Sequence, residues 1–111
     1  MTDEITIRFF FGDRERAFAL TDPMMTELER LTGKGVAAIF DQLAGLGYKL
    51  DHLREIIRLA LIGGGETSPE EAKRLCDTYA ANRPVFDLVT LALMILSARW
   101  YGADKEPEQA A

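Results

Sequence analysis

The sequence contains one cysteine and one histidine among its 111 residues, and this scarcity excludes several kinds of site. A single cysteine cannot form an internal disulfide, and zinc sites built from paired cysteines or clustered histidines need ligands that the chain does not have. Most catalytic arrangements that use a Cys/His or Ser/His pair lack a partner as well. We therefore expect no metal, no cofactor and no enzymatic activity, with Cys76 a buried or half-buried thiol and His52 part of a solvated helix face.

Positive charge is also scarce, because 13 lysines and arginines stand against 18 acidic residues and leave a formal net charge of -5. A protein that binds nucleic acid needs a basic surface to neutralise phosphates, so we expect no nucleic-acid partner. The first residues lack the basic region of a signal peptide, and the most apolar predicted helix has roughly 15 to 17 residues where a membrane span needs about 20. We expect a cytoplasmic protein with no membrane contact.

Apolar residues are plentiful at 48% of the chain, beside 28% charged residues, and this composition is sufficient for a folded core. A chain of this length has room for a single domain. We predict that the domain spans residues 1–102. Residues 103–111, which include Asp104, Glu106 and Glu108, are predicted to form a flexible acidic tail.

Alternating apolar residues near the N-terminus predict a β-hairpin. Ile5, Ile7 and Phe9 recur with the period of a half-buried strand, and Gly12-Asp13 is typical of a two-residue turn. The cross-strand pairs that this turn predicts are Ile5 with Leu20, Ile7 with Phe18, Phe9 with Arg16, Arg8 with Ala17 and Phe10 with Glu15. A two-stranded ribbon is marginal in water, so its apolar face must pack on helices.

Helix signals follow the hairpin along the rest of the chain. Thr21-Asp22-Pro23 is a helix start, and Ser68-Pro69-Glu70-Glu71 is a capping box that opens a later helix. Pro84 opens the last helix, which runs to about Tyr101. The predicted ends of the three earlier helices are glycines, namely Gly33, Gly45 and the run Gly63-Gly64-Gly65. We predict an α+β fold in which an N-terminal β-hairpin packs on a bundle of about five α-helices.

The last predicted helix is apolar on two sides. The face that we expect in the core comprises Val85, Val89, Ala92, Leu93, Leu96 and Trp100. A second stripe, spaced by three and four residues, comprises Asp87, Leu91, Met94, Ala98 and Tyr101, and the last four form the seam that we expect to contact another helix. We predict that this seam binds an amphipathic helix of a partner or of a second copy, with Phe10 as a further contact. The alternative is that another helix of the same chain covers it.

The order of these features carries a family resemblance. After the hairpin, Leu20-Thr21 opens a helix with Glu27-Leu28-Glu29, the segment 53–65 ends in three glycines, and the chain restarts at Ser68-Pro69-Glu70-Glu71-Ala72. This order resembles the gene transfer agent family of phage tail assembly chaperones. The resemblance implies a cytoplasmic protein without catalytic residues, which holds the tape measure protein soluble and helps to recruit tail tube subunits. The partners that it implies are the tape measure protein and the tail tube protein.

Two other classes of function stay open at this stage. The first is a structural head-tail or tail component of the particle, which the presence of the protein in purified particles would indicate. The second is an enzyme, which would need a cleft with carboxylates of raised pKa.

Overall fold

The computed structural model describes residues 3–103, and over this range the chain forms a hairpin followed by five helices. A 3₁₀ turn, Asp3–Ile5, precedes the strands β1 (Ile7–Phe11) and β2 (Arg14–Phe18). The helices are α1 (Asp22–Thr32), α2 (Val36–Ala44), α3 (Leu50–Gly63), α4 (Pro69–Tyr79) and α5 (Val85–Tyr101). This architecture confirms the predicted α+β fold.

The hairpin has the predicted register. Its pairs run from Ile7 with Phe18 through Phe9 with Arg16 to the pair that flanks the turn. Gly12 has a φ of 79°, which glycine adopts without strain at the first central position of a tight hairpin turn. Ile5 lies in the 3₁₀ turn, so the predicted pair of Ile5 and Leu20 lies outside the ladder.

Arg16 is buried on the apolar side of the hairpin, and its polar atoms have partners there. Its Nε donates to the Phe11 carbonyl oxygen at 3.2 Å, and its Nη2 donates to the Asp13 carboxylate at 2.9 Å. A buried guanidinium is tolerated only when it is hydrogen-bonded and paired in this way. Arg16 of β2 therefore holds the hairpin turn in place through bonds to the turn and to the end of β1.

Local signals fix several helix ends. The Ser68 hydroxyl accepts a hydrogen bond from the Glu71 backbone N–H at 3.1 Å, as expected for the start of α4. Thr21 precedes α1 in an extended conformation, although its side chain makes no capping hydrogen bond. Gly33 ends α1 with a φ of 72°, and Asn82 follows α4 with a φ of 56°, both in the left-handed region.

The C-terminal end of α3 lies directly on the backbone of β2 and of the residue that follows it. A Cβ added to Gly63 would lie 1.9 Å from the Ala19 carbonyl oxygen, and a Cβ added to Gly64 would lie 2.2 Å from the Ala17 carbonyl oxygen. The Ala19 N–H donates to the Ala60 carbonyl at 2.9 Å. The two glycines therefore belong to a packing contact, which a flexible helix end would not require.

Helix α5 is the longest helix and packs against the hairpin, α2 and α3. Its buried side differs from the predicted core face, because Val85 and Trp100 are exposed. The buried residues of α5 are Leu88, Val89, Leu91, Ala92, Ile95, Leu96 and Ala98. Trp100 instead contacts Phe40 of α2, with ring centroids 5.2 Å apart. The helix is thus rotated about its axis relative to the prediction.

The predicted acidic tail falls almost entirely outside the described residues. Ala103 is the one tail residue within them, and its backbone N–H donates to the Glu4 carbonyl at 2.7 Å. The division into a domain over 1–102 and a flexible tail over 103–111 stays a prediction.

We expect Gly63→Ala to lower the free energy of unfolding by about 1 to 3 kcal/mol, because the new methyl group must push α3 away from the strand backbone. Denaturant unfolding measures this change. Gly47→Ala is the matched control, since a Cβ there would lie 3.9 Å from the nearest atom, the Gln42 carbonyl oxygen. That variant should stay within about 0.5 kcal/mol of the parent. Equal effects at the two positions would contradict the close contact.

Candidate partner-binding surface

The solvent-facing side of α5 carries a stripe of apolar and small polar residues. We call this stripe the α5 stripe; it consists of Phe86, Thr90, Met94, Ser97 and Tyr101. With 3.6 residues per helical turn, these five residues lie within one arc about 80° wide. Phe86, Met94 and Tyr101 are exposed, with Phe86 at 77%, while Thr90 and Ser97 are half-buried. Large exposed apolar side chains aligned along one helix are typical of a protein-binding surface.

Two of the four residues of the predicted seam are not exposed, so this part of the prediction is wrong. Leu91 is 2% exposed and Ala98 is 5% exposed, so both belong to the core. The physical reason is that α5 packs against α3, α2, β1 and the 3₁₀ turn, so most of its circumference lies against other elements. Met94, at 38% exposure, and Tyr101 remain on the outer surface, and they belong to the stripe.

A groove separates the α5 stripe from the hairpin. Residues 9–12 form one wall, the first half of α5 with Phe86 and Leu91 forms the other, and Tyr79 also lines the groove, whose volume is about 260 Å³. The Tyr79 ring meets Phe11 edge-on at 6.1 Å between centroids. Phe10 stands exposed on the hairpin wall of this groove. Phe10 and Phe86 are thus exposed apolar residues that both line this groove.

The α5 stripe itself carries no charged residue, although Arg83 and Asp87 line the groove beside it. Asp87, which also lines the groove, is the one charged residue beside the stripe within α5. Arg99, near the other end of the helix, pairs with Asp22 of α1. Because removing an unpaired charge from water is costly, a partner can cover the stripe with little desolvation penalty. Met94 lies at its centre, and a flexible thioether adapts to apolar surfaces of different shape.

Cys76 and His52, the single cysteine and the single histidine of the chain, lie outside the α5 stripe and the groove. Cys76 is buried on α4, and this burial raises the pKa of its thiol to about 12. Partial burial and the nearby Lys49 and Lys34 lower the pKa of His52 on α3. Between residues 3 and 103, no three His, Cys, Asp or Glu residues are grouped in a way that could hold a metal ion.

The sequence prediction missed three residues of the stripe, of which Phe86 is the largest and most exposed and Thr90 and Ser97 are half-buried. A signal for Phe86 was present, since Phe86, Thr90 and Met94 are spaced by four residues and lie above one another on a helix. Phe86 also follows the helix start at Pro84 closely, so a side chain there has few neighbours on its N-terminal side.

Comparison with known families gives one match that covers nearly all of the described residues. A family model described as phage tail tube protein, GTA-gp10, matches residues 4–102, whereas no curated protein and no solved structure matches. The match confirms the expected phage and gene transfer agent tail family. It names a tail tube protein where the resemblance implied a chaperone, so the chaperone role is not confirmed. Over residues 3–103, none of the helices combines the length and the apolar character needed to cross a membrane.

The rotation of α5 gives opposite expectations for two neighbouring residues. We expect Leu91→Asp to unfold the protein or to lower the free energy of unfolding by at least about 3 kcal/mol, because it buries an unpaired charge. Met94→Asp should cost less than about 1 kcal/mol, since residue 94 reaches solvent. Circular dichroism with thermal unfolding separates the two variants. Similar losses in both would mean that Met94 belongs to the core.

We expect the Cys76 thiol to be unreactive in the native protein. With burial raising its pKa to about 12, the thiol carries almost no thiolate at pH 8. Labelling by an aromatic disulfide reagent at pH 8 should therefore be slow until denaturant is added. Fast labelling of the folded protein would show that the thiol is accessible and ionised.

Proposed function

The chain belongs to the family described as phage tail tube protein, GTA-gp10, and on this premise we propose that it is a structural component of a phage-like or gene transfer agent tail. The observation that carries the proposal is the match over residues 4–102, which include the hairpin and all five helices described. In this role the protein binds neighbouring tail proteins and catalyses no reaction.

The α5 stripe and the groove beside it support the contact surface that such a role needs. The stripe presents Phe86, Met94 and Tyr101 to solvent, and Phe10 extends the apolar surface across the groove. Aromatic residues and methionine are enriched at the centres of protein interfaces, where charged residues are depleted. We propose that Met94, Tyr101, Phe10 and Phe86 are the residues that bind neighbouring tail proteins.

The absence of catalysis is part of the same proposal. The Cys76 thiol is held protonated by burial, and its high pKa makes it a poor nucleophile at neutral pH. His52 is on α3 beside lysines that disfavour its charged form. Neither residue borders the groove. We propose that Cys76→Ala and His52→Gln leave tail formation intact.

A second candidate function is the transient one that the resemblance implied, a cytoplasmic chaperone that holds the tape measure protein until it enters the tail. The observation that favours it is the position of Met94 at the centre of an uncharged stripe, because a methionine surface accommodates varied apolar helices. The two candidates differ in the final location of the protein, because a tail component stays in the particle and a chaperone leaves it.

Purified particles distinguish the two functions. With the complete tail gene set expressed, we expect the protein to co-purify with assembled tails in a fixed ratio to the other tail proteins, as measured by quantitative mass spectrometry. Met94→Asp should lower the yield of tails at least about tenfold, since a buried carboxylate without a partner costs more than 1.4 kcal/mol. Recovery of the tape measure complex with no protein in finished particles would favour the chaperone.

Leu46→Asn is the matched control for this experiment. Leu46 is an exposed apolar residue in the loop between α2 and α3, outside the stripe, and its φ of 66° is one that asparagine tolerates. The variant removes exposed apolar surface without touching α5 and should leave the tail yield unchanged. Equal losses in the control and in Met94→Asp would remove the special role of the stripe.

A further inference from the structure

We propose that the outer edge of β1 accepts an extended segment of a neighbouring tail protein, which adds to the hairpin as a third strand. The segment that fits this edge is uncharged and has apolar side chains at alternate positions. The inference deepens the proposed function, on which it rests for the source of the segment, by naming how the partner binds. In strand addition, main-chain hydrogen bonds supply affinity and pockets for alternate side chains supply specificity.

The hairpin register shows which backbone groups of β1 are open. The two residues that flank the tight turn exchange ladder hydrogen bonds, and so do Phe9 and Arg16 two residues further along. The N–H and carbonyl groups of Arg8 and Phe10 therefore point away from β2. Within residues 3–103 these groups have no backbone hydrogen-bond partner. They offer two donors and two acceptors in the spacing that an extended backbone complements.

The other edge of the hairpin is already covered. Ala17 lies opposite Arg8, and its carbonyl lies against Gly64 at the end of α3. Just beyond β2, the Ala19 N–H donates to the Ala60 carbonyl at 2.9 Å. The outer edge of β1 is therefore the edge with room for an added strand.

The charged side chain of β1 is held away from this outer edge. Edge strands are commonly protected from pairing by lysine, proline or another charged residue, and β1 has neither lysine nor proline. The Arg8 guanidinium donates to Glu15 of β2 at 3.0 Å and to Glu66, in the loop after α3, at 2.8 Å. Both acceptors lie on the β2 side of the hairpin, so they draw the Arg8 side chain across the sheet. The edge is left without a charged guard.

The groove between β1 and α5 determines which side chains fit beside the edge. Its lining is mostly apolar and includes Phe9, Tyr79 and Leu91, while Arg83 and Asp87 give it no net formal charge. Its volume of about 260 Å³ lies below the roughly 300 to 1,000 Å³ of small-molecule sites and suits about two or three side chains. Because alternate side chains of a strand point to one face, every second residue of the segment enters the groove. A second copy of β1 is unsuitable, since its apolar residues pack against its own core.

Amide hydrogen exchange tests the edge in the unaltered protein, free and in tails assembled from the complete tail gene set. In the free protein we expect the amides of Arg8 and Phe10 to exchange at least about tenfold faster than those of Phe9 and Phe11, whose N–H groups face β2. In assembled tails, exchange at Arg8 and Phe10 should slow at least about 100-fold. Unchanged exchange at these two amides, in tails that contain the protein, would overturn strand addition and leave the proposed function intact.

Proline variants separate backbone pairing from side-chain contact. Phe10→Pro removes an N–H that the hairpin does not use, so the edge strand tolerates it, but an added strand loses a donor there. We expect the tail yield to fall at least about tenfold, whereas Phe10→Thr, which keeps the N–H, should lower it at most about threefold. Glu15→Pro is the matched control on the opposite edge and should leave the yield unchanged. Equal losses in the two Phe10 variants would contradict strand addition.

Circular dichroism shows whether each variant is folded, and if Phe10→Pro is not, the exchange measurement decides alone. If the protein is absent from finished particles, the same measurement on its complex with the tape measure protein decides. Protection of Arg8 and Phe10 in that complex would keep strand addition and overturn the structural role in the tail. Binding to no tail protein at all would overturn both proposals.

Discussion

The position of the hairpin depends on one close contact, the one between the end of α3 and the strand backbone. Helix α3 touches α1, α4 and α5 as well as β2, so it is the element around which the others are arranged. Gly63 and Gly64 let its last turn approach the Ala17 and Ala19 carbonyls, and the Ala60 carbonyl binds the strand's continuation. A two-stranded hairpin is only marginally stable alone, and this contact packs it against a helix. Where β1 lies against α5, and which arc of α5 stays in solvent, follow from it.

Features that depend on a few neighbouring residues were predictable from the sequence. The Gly12 turn fixes the hairpin register through chain geometry, and Ser68 needs only the Glu71 N–H three residues on to begin α4. The same holds for Gly33, whose left-handed backbone ends α1. The run at 63–65 shows the limit of such local interpretation. The sequence predicts only a helix end there, whereas two of its glycines are needed for a close contact with backbone that lies more than forty residues earlier.

The candidate site was predictable only in part, because the orientation of α5 is decided by tertiary packing. This helix is apolar on nearly every side, so its sequence offers several arcs that could face the core. The surrounding elements decide the choice: Leu91 and Ala98 are buried, and Trp100 contacts Phe40 of α2. Exposed Met94 and Tyr101 lie where two neighbouring arcs overlap, which is why the sequence identified them although the stripe's centre was misplaced.

The exposed surface also fits a protein that must stay separate before it joins an assembly. Thr90 and Ser97 interrupt the large residues of the stripe, so the apolar area that one contact over this helix face can bury is small compared with a standard interface. In the proposed role as a tail component, several such contacts would form at once, and the high effective concentration of neighbouring subunits would turn weak single affinities into a stable structure. A stripe of greater apolar area would bind more strongly in isolation but would drive aggregation before the other tail proteins arrive.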